Sequence, residues 1–273
     1  MKIHVGHSPD ADDAFMFYAL AHGKIATGQL EFEHILRDIE TLNRWAIEKR
    51  LEVTAISLHA FAHVAADYAL LPHGASIGDR YGPIVVSQRE MPIHDLKRCK
   101  IGVPGELTTA FLALKLCLGD FQYEVIPFDQ IFTAVQSGKT DAGLIIHEGQ
   151  LTYERLGFTK VLDLGEWWFE RTSLPLPLGV NVVRKDLGTA VCREISEYLK
   201  QSIEYGLNNR QEAMQYALRY SRNTEESLAD RFVAMYVNHY TQNLGERGLH
   251  AVRRLMDEAH NAKLIPETSI DVI

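Results

Sequence analysis

The sequence predicts an α/β protein of two lobes, the second inserted into the first, with helices at its C-terminal end. Three observations predict it. Short apolar or alternating runs are each followed by a stretch with helical spacing, the rhythm of strand–helix units. That rhythm breaks in a Gly- and Pro-rich stretch at 73–83 and a polar stretch at 88–100, then restarts at Ile101. Beyond Arg184 strands cease, and 187–206, 211–219, 225–240 and 246–263 all show apolar residues at helical spacing. The implied division is 1–85 for the first lobe, 86–179 for the inserted lobe, and 180–273 for the return to the first lobe and the terminal helices. Such an order of elements suits a clamp that holds a small molecule between its lobes and closes by hinge motion.

A chain of 273 residues, 46% hydrophobic and 23% charged, can bury a large core and exceeds the usual size of one domain. The formal charge of −8 comes with no dense run of Lys or Arg, so nucleic acid is not an expected partner. Cys99, Cys117 and Cys192 are odd in number and far apart, which suits reduced thiols rather than a disulfide framework or a metal site. Met1 is followed at once by a strand-like alternation with no room for a signal peptide, and no apolar run approaches the ~20 residues that span a bilayer. A cytoplasmic protein without membrane insertion is the expectation.

The first strand, 2–7, runs into Ser8-Pro-Asp-Ala-Asp-Asp and then a dense apolar helix, 14–21, closed by Gly23. Asp10 or Ser8 can cap that helix, and Asp12 and Asp13 in its first turn complement the dipole. Alternatively Ser8 and the first free N–H groups face a cleft and hold an oxygen-rich ligand. With no second acidic cluster at a matching position, the three carboxylates do not make a metal site. A strand at 30–36 precedes a helix at 38–47 capped by Asp38. The next strand, 52–57, carries Ala55 and Ile56 and ends at Ser57, just before a helix at 58–67. His59 and His63 lie four apart on it but lack the glutamate of the zinc-protease motif, and read as surface or packing residues. The glycines of 73–83 mark a mobile loop. The Pro- and Gly-punctuated runs 82–86 and 174–183 read as paired crossings between the lobes.

In the second lobe a strand at 101–104 enters Gly105-Glu-Leu-Thr108-Thr109-Ala110 at the start of an apolar helix ending at Leu118. This turn is either a cradle for a carboxylate or other anion, or plain helix capping. It is not a Walker motif, since the lysine is missing, and GxGxxG is absent. After a strand at 123–127 and a helix at 128–137 comes Ala142-Gly-Leu-Ile-Ile-His147-Glu148-Gly149, an apolar strand that ends at a histidine and breaks at a glycine. Ligands of open α/β folds sit beyond the carboxyl ends of strands, which makes His147 the candidate base. A strand-end histidine bonded to a backbone carbonyl is the alternative. A strand at 161–164 and an aromatic helix at 166–171 follow, its two tryptophans suited to a lid or lobe contact. The helical tail carries no clustered chemistry and reads as scaffold or the contact of a homodimer.

The segments Ser8-Pro-Asp-Ala-Asp-Asp-Ala-Phe-Met-Phe-Tyr-Ala-Leu20, Asp38-Ile-Glu-Thr-Leu-Asn-Arg-Trp45, Thr108-Thr-Ala110, Gly143-Leu-Ile-Ile-His-Glu148 and Leu174-Pro-Leu-Pro-Leu-Gly179 resemble the 1,4-dihydroxy-6-naphthoate synthase family of the futalosine route to menaquinone. The likeness runs to about Gly188, and the opening turn departs from the Ser-Pro-Cys-Pro-Asn-Asp form of some members. The resemblance implies a periplasmic-binding-protein type II fold used as a cytoplasmic enzyme. It implies cleavage of cyclic dehypoxanthine futalosine to 1,4-dihydroxy-6-naphthoate and dihydroxyacetone, with no metal or organic cofactor. It also implies His147 as proton-abstracting base, and Ala55-Ile-Ser57 and Thr109-Ala110 at ligand-contacting positions. The rival readings are a binding protein of a transporter or sensor, and the sister chorismate dehydratase, both with this fold.

Overall fold

The computed structural model describes residues 1–220 and 225–273. Its first half alternates as expected: β1 (Lys2–His7), α1 (Ala11–Ala21), β2 (Glu31–Leu36), α2 (Ile39–Ile47), β3 (Val53–Ser57) and α3 (Leu58–Val64). Asp38 caps α2 as the sequence suggests, its Oδ1 accepting from the Thr41 N–H at 3.0 Å. Two strands of three residues, β4 (Tyr68–Leu70) and β5 (Ser76–Gly78), were not legible, being too short to leave a periodic signal. The remaining elements are β6 (Ile84–Ser87), β7 (Lys100–Val103), α4 (Thr109–Leu118), β8 (Gln122–Val125), α5 (Ile131–Gln136), β9 (Ala142–Ile145), β10 (Thr159–Asp163), α6 (Leu164–Thr172) and β11 (Leu176–Arg184). The tail holds α7 (Thr189–Asn208), α8 (Arg210–Ala217), α9 (Glu226–Tyr236), α10 (His239–Gln242) and α11 (Gly245–Asn261).

One sheet has the order β2-β1-β3-β11-β4, with β5 also paired to β11; the other has the order β10-β6-β9-β7-β8. β1 is parallel to β2 and β3, so the carboxyl ends of β1 and β3 open side by side. β11 runs antiparallel to β3 and sets Gly179 opposite Ser57. α1 is buried on nearly all its faces under α7, α8 and α9, which accounts for its apolar density. Among the described residues no helix is long and apolar enough to cross a membrane.

The two stretches expected as paired crossings lie in different sheets: β6 pairs with β9 and β10, and β11 with β3, β4 and β5. The chain leaves the first sheet through 79–83 and returns through α6. Where the two passages meet, a Cβ on Gly165 would lie 1.9 Å from the Tyr81 carbonyl oxygen, and one on Gly78 would lie 2.0 Å from it. The Leu164 N–H donates to the Pro83 carbonyl at 2.9 Å. The glycines of this region thus record close backbone approach and a short strand, where a mobile loop was expected. The helix expected at 225–240 is two, broken at Asn238. The Asn238 side chain accepts from the Tyr240 N–H at 2.9 Å and its own N–H donates to Thr241 Oγ1 at 3.0 Å, a capping box that starts α10.

Candidate active site

A cavity of about 720 Å³, including the space at its open mouth, lies between the two sheets beyond the carboxyl ends of β1 and β3. Ser8, Ala55, Ile56, Ser57, Thr108, Thr109 and Ala110, all singled out from the sequence, line it. Hydrogen bonds cross from lobe to lobe at its edge. Thr109 Oγ1 donates to the Leu178 carbonyl at 2.5 Å and accepts from the His59 N–H at 3.1 Å, while the Leu107 N–H donates to Glu40 Oε2 at 3.1 Å. His59 is a buried packing residue, its Nδ1–H directed at the Thr108 carbonyl at 3.3 Å, and burial lowers its pKa to about 4. His63 is exposed.

The lining hydroxyls are not equivalent. Thr108 Oγ1 donates to the Gly105 carbonyl at 2.9 Å and accepts from the Phe111 N–H at 3.2 Å, so it is spent on capping α4. Thr109 is spent on Leu178 and His59. Ser8 Oγ donates to Asp10 Oδ2 at 3.0 Å and accepts from the Asp10 N–H at 3.2 Å. Ser57 differs: its Oγ accepts from Asn43 Nδ2 at 3.1 Å and its N–H donates to Asn43 Oδ1 at 2.8 Å, which leaves the hydroxyl proton to give to a ligand. At α4 the N–H groups of Thr109 and Ala110 have no carbonyl of their own helix to donate to, and both residues line the cavity. The donor set for an oxygen-rich ligand is therefore the Ser57 hydroxyl with two backbone amides.

Asn43, fully buried on α2, holds Ser57 by both its amide groups and escaped notice in the sequence. Replacing Asn43 by alanine leaves the buried Ser57 N–H without an acceptor, at an expected cost of ~1–3 kcal/mol. A denaturant titration of the variant against the parent checks it, and an unchanged midpoint would show that the pair contributes nothing.

The acidic turn also differs from its sequence reading. Asp10 stands at the N-cap of α1, but its side chain accepts no bond from the helix and holds the Ser8 hydroxyl instead. Asp13 Oδ2 reaches back to the Ser8 N–H at 2.7 Å. Asp12 and Asp13 both line the cavity, as do Phe232 and Tyr236 of α9. Those last two come from the tail read as scaffold. Tyr236 donates to Gln150 Oε1 at 2.8 Å, joining α9 to the turn after β9. Among the described residues, no group of three or more His, Cys, Asp or Glu side chains is arranged to hold a metal ion.

His147 lies two residues past the end of β9. Ile146 lines the cavity; His147 is not among the lining residues and sits just behind that wall, its side chain 11% exposed. Its ring meets Phe128 and Phe132 edge-on at 5.7 and 6.0 Å. Nδ1 accepts from the Gly149 N–H at 3.0 Å, so the histidine caps the turn Glu148–Leu151. The neutral ring then carries its proton on Nε2. Glu148 Oε2 stands 3.9 Å from the same Nδ1.

A family described as menaquinone biosynthesis matches residues 3–261. The chain belongs to that family. It is 40% identical over 257 residues to a 1,4-dihydroxy-6-naphthoate synthase of Thermus thermophilus, covering 94% of this chain and 93% of the relative. To the 1,4-dihydroxy-6-naphthoate synthase of Streptomyces coelicolor it is 33% identical over 277 residues, 99% and 97% of the two chains. A crystal structure from Archaeoglobus fulgidus superposes with a TM-score of 0.93 at 49% identity, over 97% and 98% of the two chains. A Candida albicans protein of the generic periplasmic-binding-protein fold matches at a TM-score of 0.74 and 13% identity, over 98% and 92% of the two chains, which shows the fold alone. The family and the bilobed periplasmic-binding-protein-like fold expected from the sequence are both borne out.

Proposed function

We propose that the chain is a carbon–carbon lyase of menaquinone biosynthesis that splits cyclic dehypoxanthine futalosine into 1,4-dihydroxy-6-naphthoate and dihydroxyacetone. The observation that carries the reading is membership, over nearly the whole chain, of a family whose relatives bear the synthase name. The cleft supports the roles. Cleaving a bond next to a carbonyl needs a base to take a proton and donors for the oxygen that gains charge. His147 is the base. Its lone pair is on Nδ1, held by the Gly149 N–H behind the Ile146 wall, so the turn Glu148–Leu151 must open to turn it toward the substrate's C–H, and the imidazolium so formed has the Glu148 carboxylate as its neighbour. The Ser57 hydroxyl and the Thr109 and Ala110 amides hold the oxygen, in a cleft that excludes water when the lobes close. Aromatisation of the new ring drives the reaction. The same reading makes it a cytoplasmic enzyme, with its three cysteines as free thiols.

The test is to incubate the purified protein with cyclic dehypoxanthine futalosine and follow products by mass. Dihydroxynaphthoate with dihydroxyacetone is the expected result. Substrate bound but returned unchanged would favour a binding protein, and no binding would point to a chorismate-derived ligand.

The position of the base gives a further expectation. A Cβ on Gly149 would lie 2.5 Å from Phe132 Cε2 and 2.7 Å from His147 Cε1, and Phe132 is itself backed by Phe158 at 4.9 Å. Gly149→Ala therefore pushes the imidazole aside. Turnover should fall about 10²-fold, the scale of a misplaced reacting group, with little change in KM. Steady-state kinetics read it, and parental turnover would mean that the ring need not hold this place.

A further inference from the structure

We propose that Asp12 is a specificity-determining residue of the cleft, its neutral carboxyl group donating an O–H hydrogen bond to a hydroxyl or carbonyl oxygen of the bound molecule. The inference rests on this cavity being the substrate site. Of the three acids in the opening turn, two are committed to the turn: Asp10 holds the Ser8 hydroxyl and Asp13 the Ser8 N–H. Asp12 bonds to neither, lines the cavity and is nine-tenths buried. Its carboxyl takes a bond from the Asp13 N–H alone in the turn, and its place on the cavity wall sets it against whatever fills the cleft.

Its surroundings decide its form. Burial first, then the carboxylates of Asp13, Asp10 and Glu148, push the Asp12 carboxyl well above the usual carboxylate range. Asp13 is raised by burial to about 7, but its charge is stabilised by both the N–H and the side chain of Ser8, against the single Asp13 N–H that serves Asp12, so a proton held by the pair settles on Asp12. Glu148 presses on Asp12 from the turn after β9. Tyr236, from α9, is kept neutral by its own burial and adds no positive charge. The other elements against α1 bring Arg210, Glu212 and His34 onto Phe15, Tyr18 and Phe17, further along the helix. No cation faces Asp12 among the groups that act on it. A protonated carboxyl is a donor as well as an acceptor, and it rejects a ligand that offers no acceptor there.

Asp12→Asn keeps a donor of the same shape without a titrating proton; Asp12→Leu removes it. With cyclic dehypoxanthine futalosine as substrate, Asp12→Asn should hold KM and turnover within about threefold of the parent at neutral pH, and Asp12→Leu should raise KM about tenfold. On the alkaline side the parent's KM should rise as Asp12 loses its proton, while that of Asp12→Asn stays flat. An infrared difference spectrum of the ligand-free parent at neutral pH, minus that of Asp12→Asn, should contain the carbonyl stretch of a protonated carboxylic acid. This band needs no substrate, and of the two replacements it uses only the isosteric one. Turnover by the parent without the band, an Asp12→Asn loss as deep as that of Asp12→Leu, parental KM in Asp12→Leu, or coinciding pH profiles would each overturn the proposal. The band in a protein that does not turn over the substrate would leave a neutral Asp12 standing and overturn the lyase reading and, with it, the specificity role.

Discussion

Replacing His147 by alanine is expected to cut turnover by about 10²- to 10⁴-fold, the range ascribed to a positioned general base, while binding and fold persist. The ring lies in the turn after β9, against Phe128 and Phe132. It does cap that turn through Nδ1 and the Gly149 N–H, so a rate loss in the alanine variant has two sources: a missing base, or a turn that has come undone. His147→Asn separates them. Its side-chain oxygen takes the place of Nδ1 and accepts from Gly149, but an amide does not take a proton at neutral pH. Steady-state kinetics and melting curves of the two variants form the test. If His147 is the base, asparagine restores the melting temperature and leaves turnover as low as alanine does. Recovery of turnover with asparagine would assign the residue to capping alone, and full activity in both variants would remove it from the mechanism.

The fold was legible where burial imposes a period. β3 and β9 are buried along their whole length because both faces are covered, β9 with no polar side chain at all, and Asp38 announced α2 by a local bond that a sequence can display. The wall of the cavity was legible for a related reason: Ser57, Thr108 and Thr109 stand at strand ends and helix starts, and in this topology such points converge. What each hydroxyl does there was not legible. Thr109 is spent on Leu178, about seventy residues away, and Ser57 is oriented by Asn43, whose only mark in the sequence is a polar residue in an amphipathic helix. Asp12 and Asp13 read as ordinary first-turn acids because their burial depends on α9, which the chain reaches more than two hundred residues later. Phe232 and Tyr236 had no local signal at all, since an aromatic pair at helical spacing is what any packed helix shows. The glycines at 78, 82 and 165 signalled a special backbone, but the kind, close approach rather than mobility, depends on which segment lies opposite.

Trp168→Ala is expected to be the most destabilising single change in the inserted lobe. Trp168 is fully buried on α6 and its Nε1–H donates to the Pro175 carbonyl at 3.1 Å, whereas its neighbour Trp167 is only partly buried. The sequence suggested a lid or lobe contact for the pair, and Trp168 lies fully buried in a core cluster that draws on both sheets. Emptying a buried aromatic site costs about 3–5 kcal/mol, and a carbonyl left without its donor adds about 1–3 kcal/mol where water does not reach it. Against a typical stability of ~5–15 kcal/mol that is a large share. At about 2–3 °C per kcal/mol for a chain of this size, the melting temperature should fall by about 10 °C or more. Trp168→Phe keeps most of the volume and loses the bond, and should cost about 1–3 kcal/mol, while Trp167→Ala should cost less than Trp168→Ala because part of that ring already meets water. The core cluster that holds Trp168 also contains Ile56 of the first sheet, Val85 and Leu144 of the second, and Val252 of α11. A contiguous core of this kind couples the lobes, so heat or urea should still unfold the variant in one transition. A melting point within about 2 °C of the parent would mean that the site collapses around the gap, and two resolved transitions would mean that α6, where the chain returns to the first sheet, carries the coupling between the lobes.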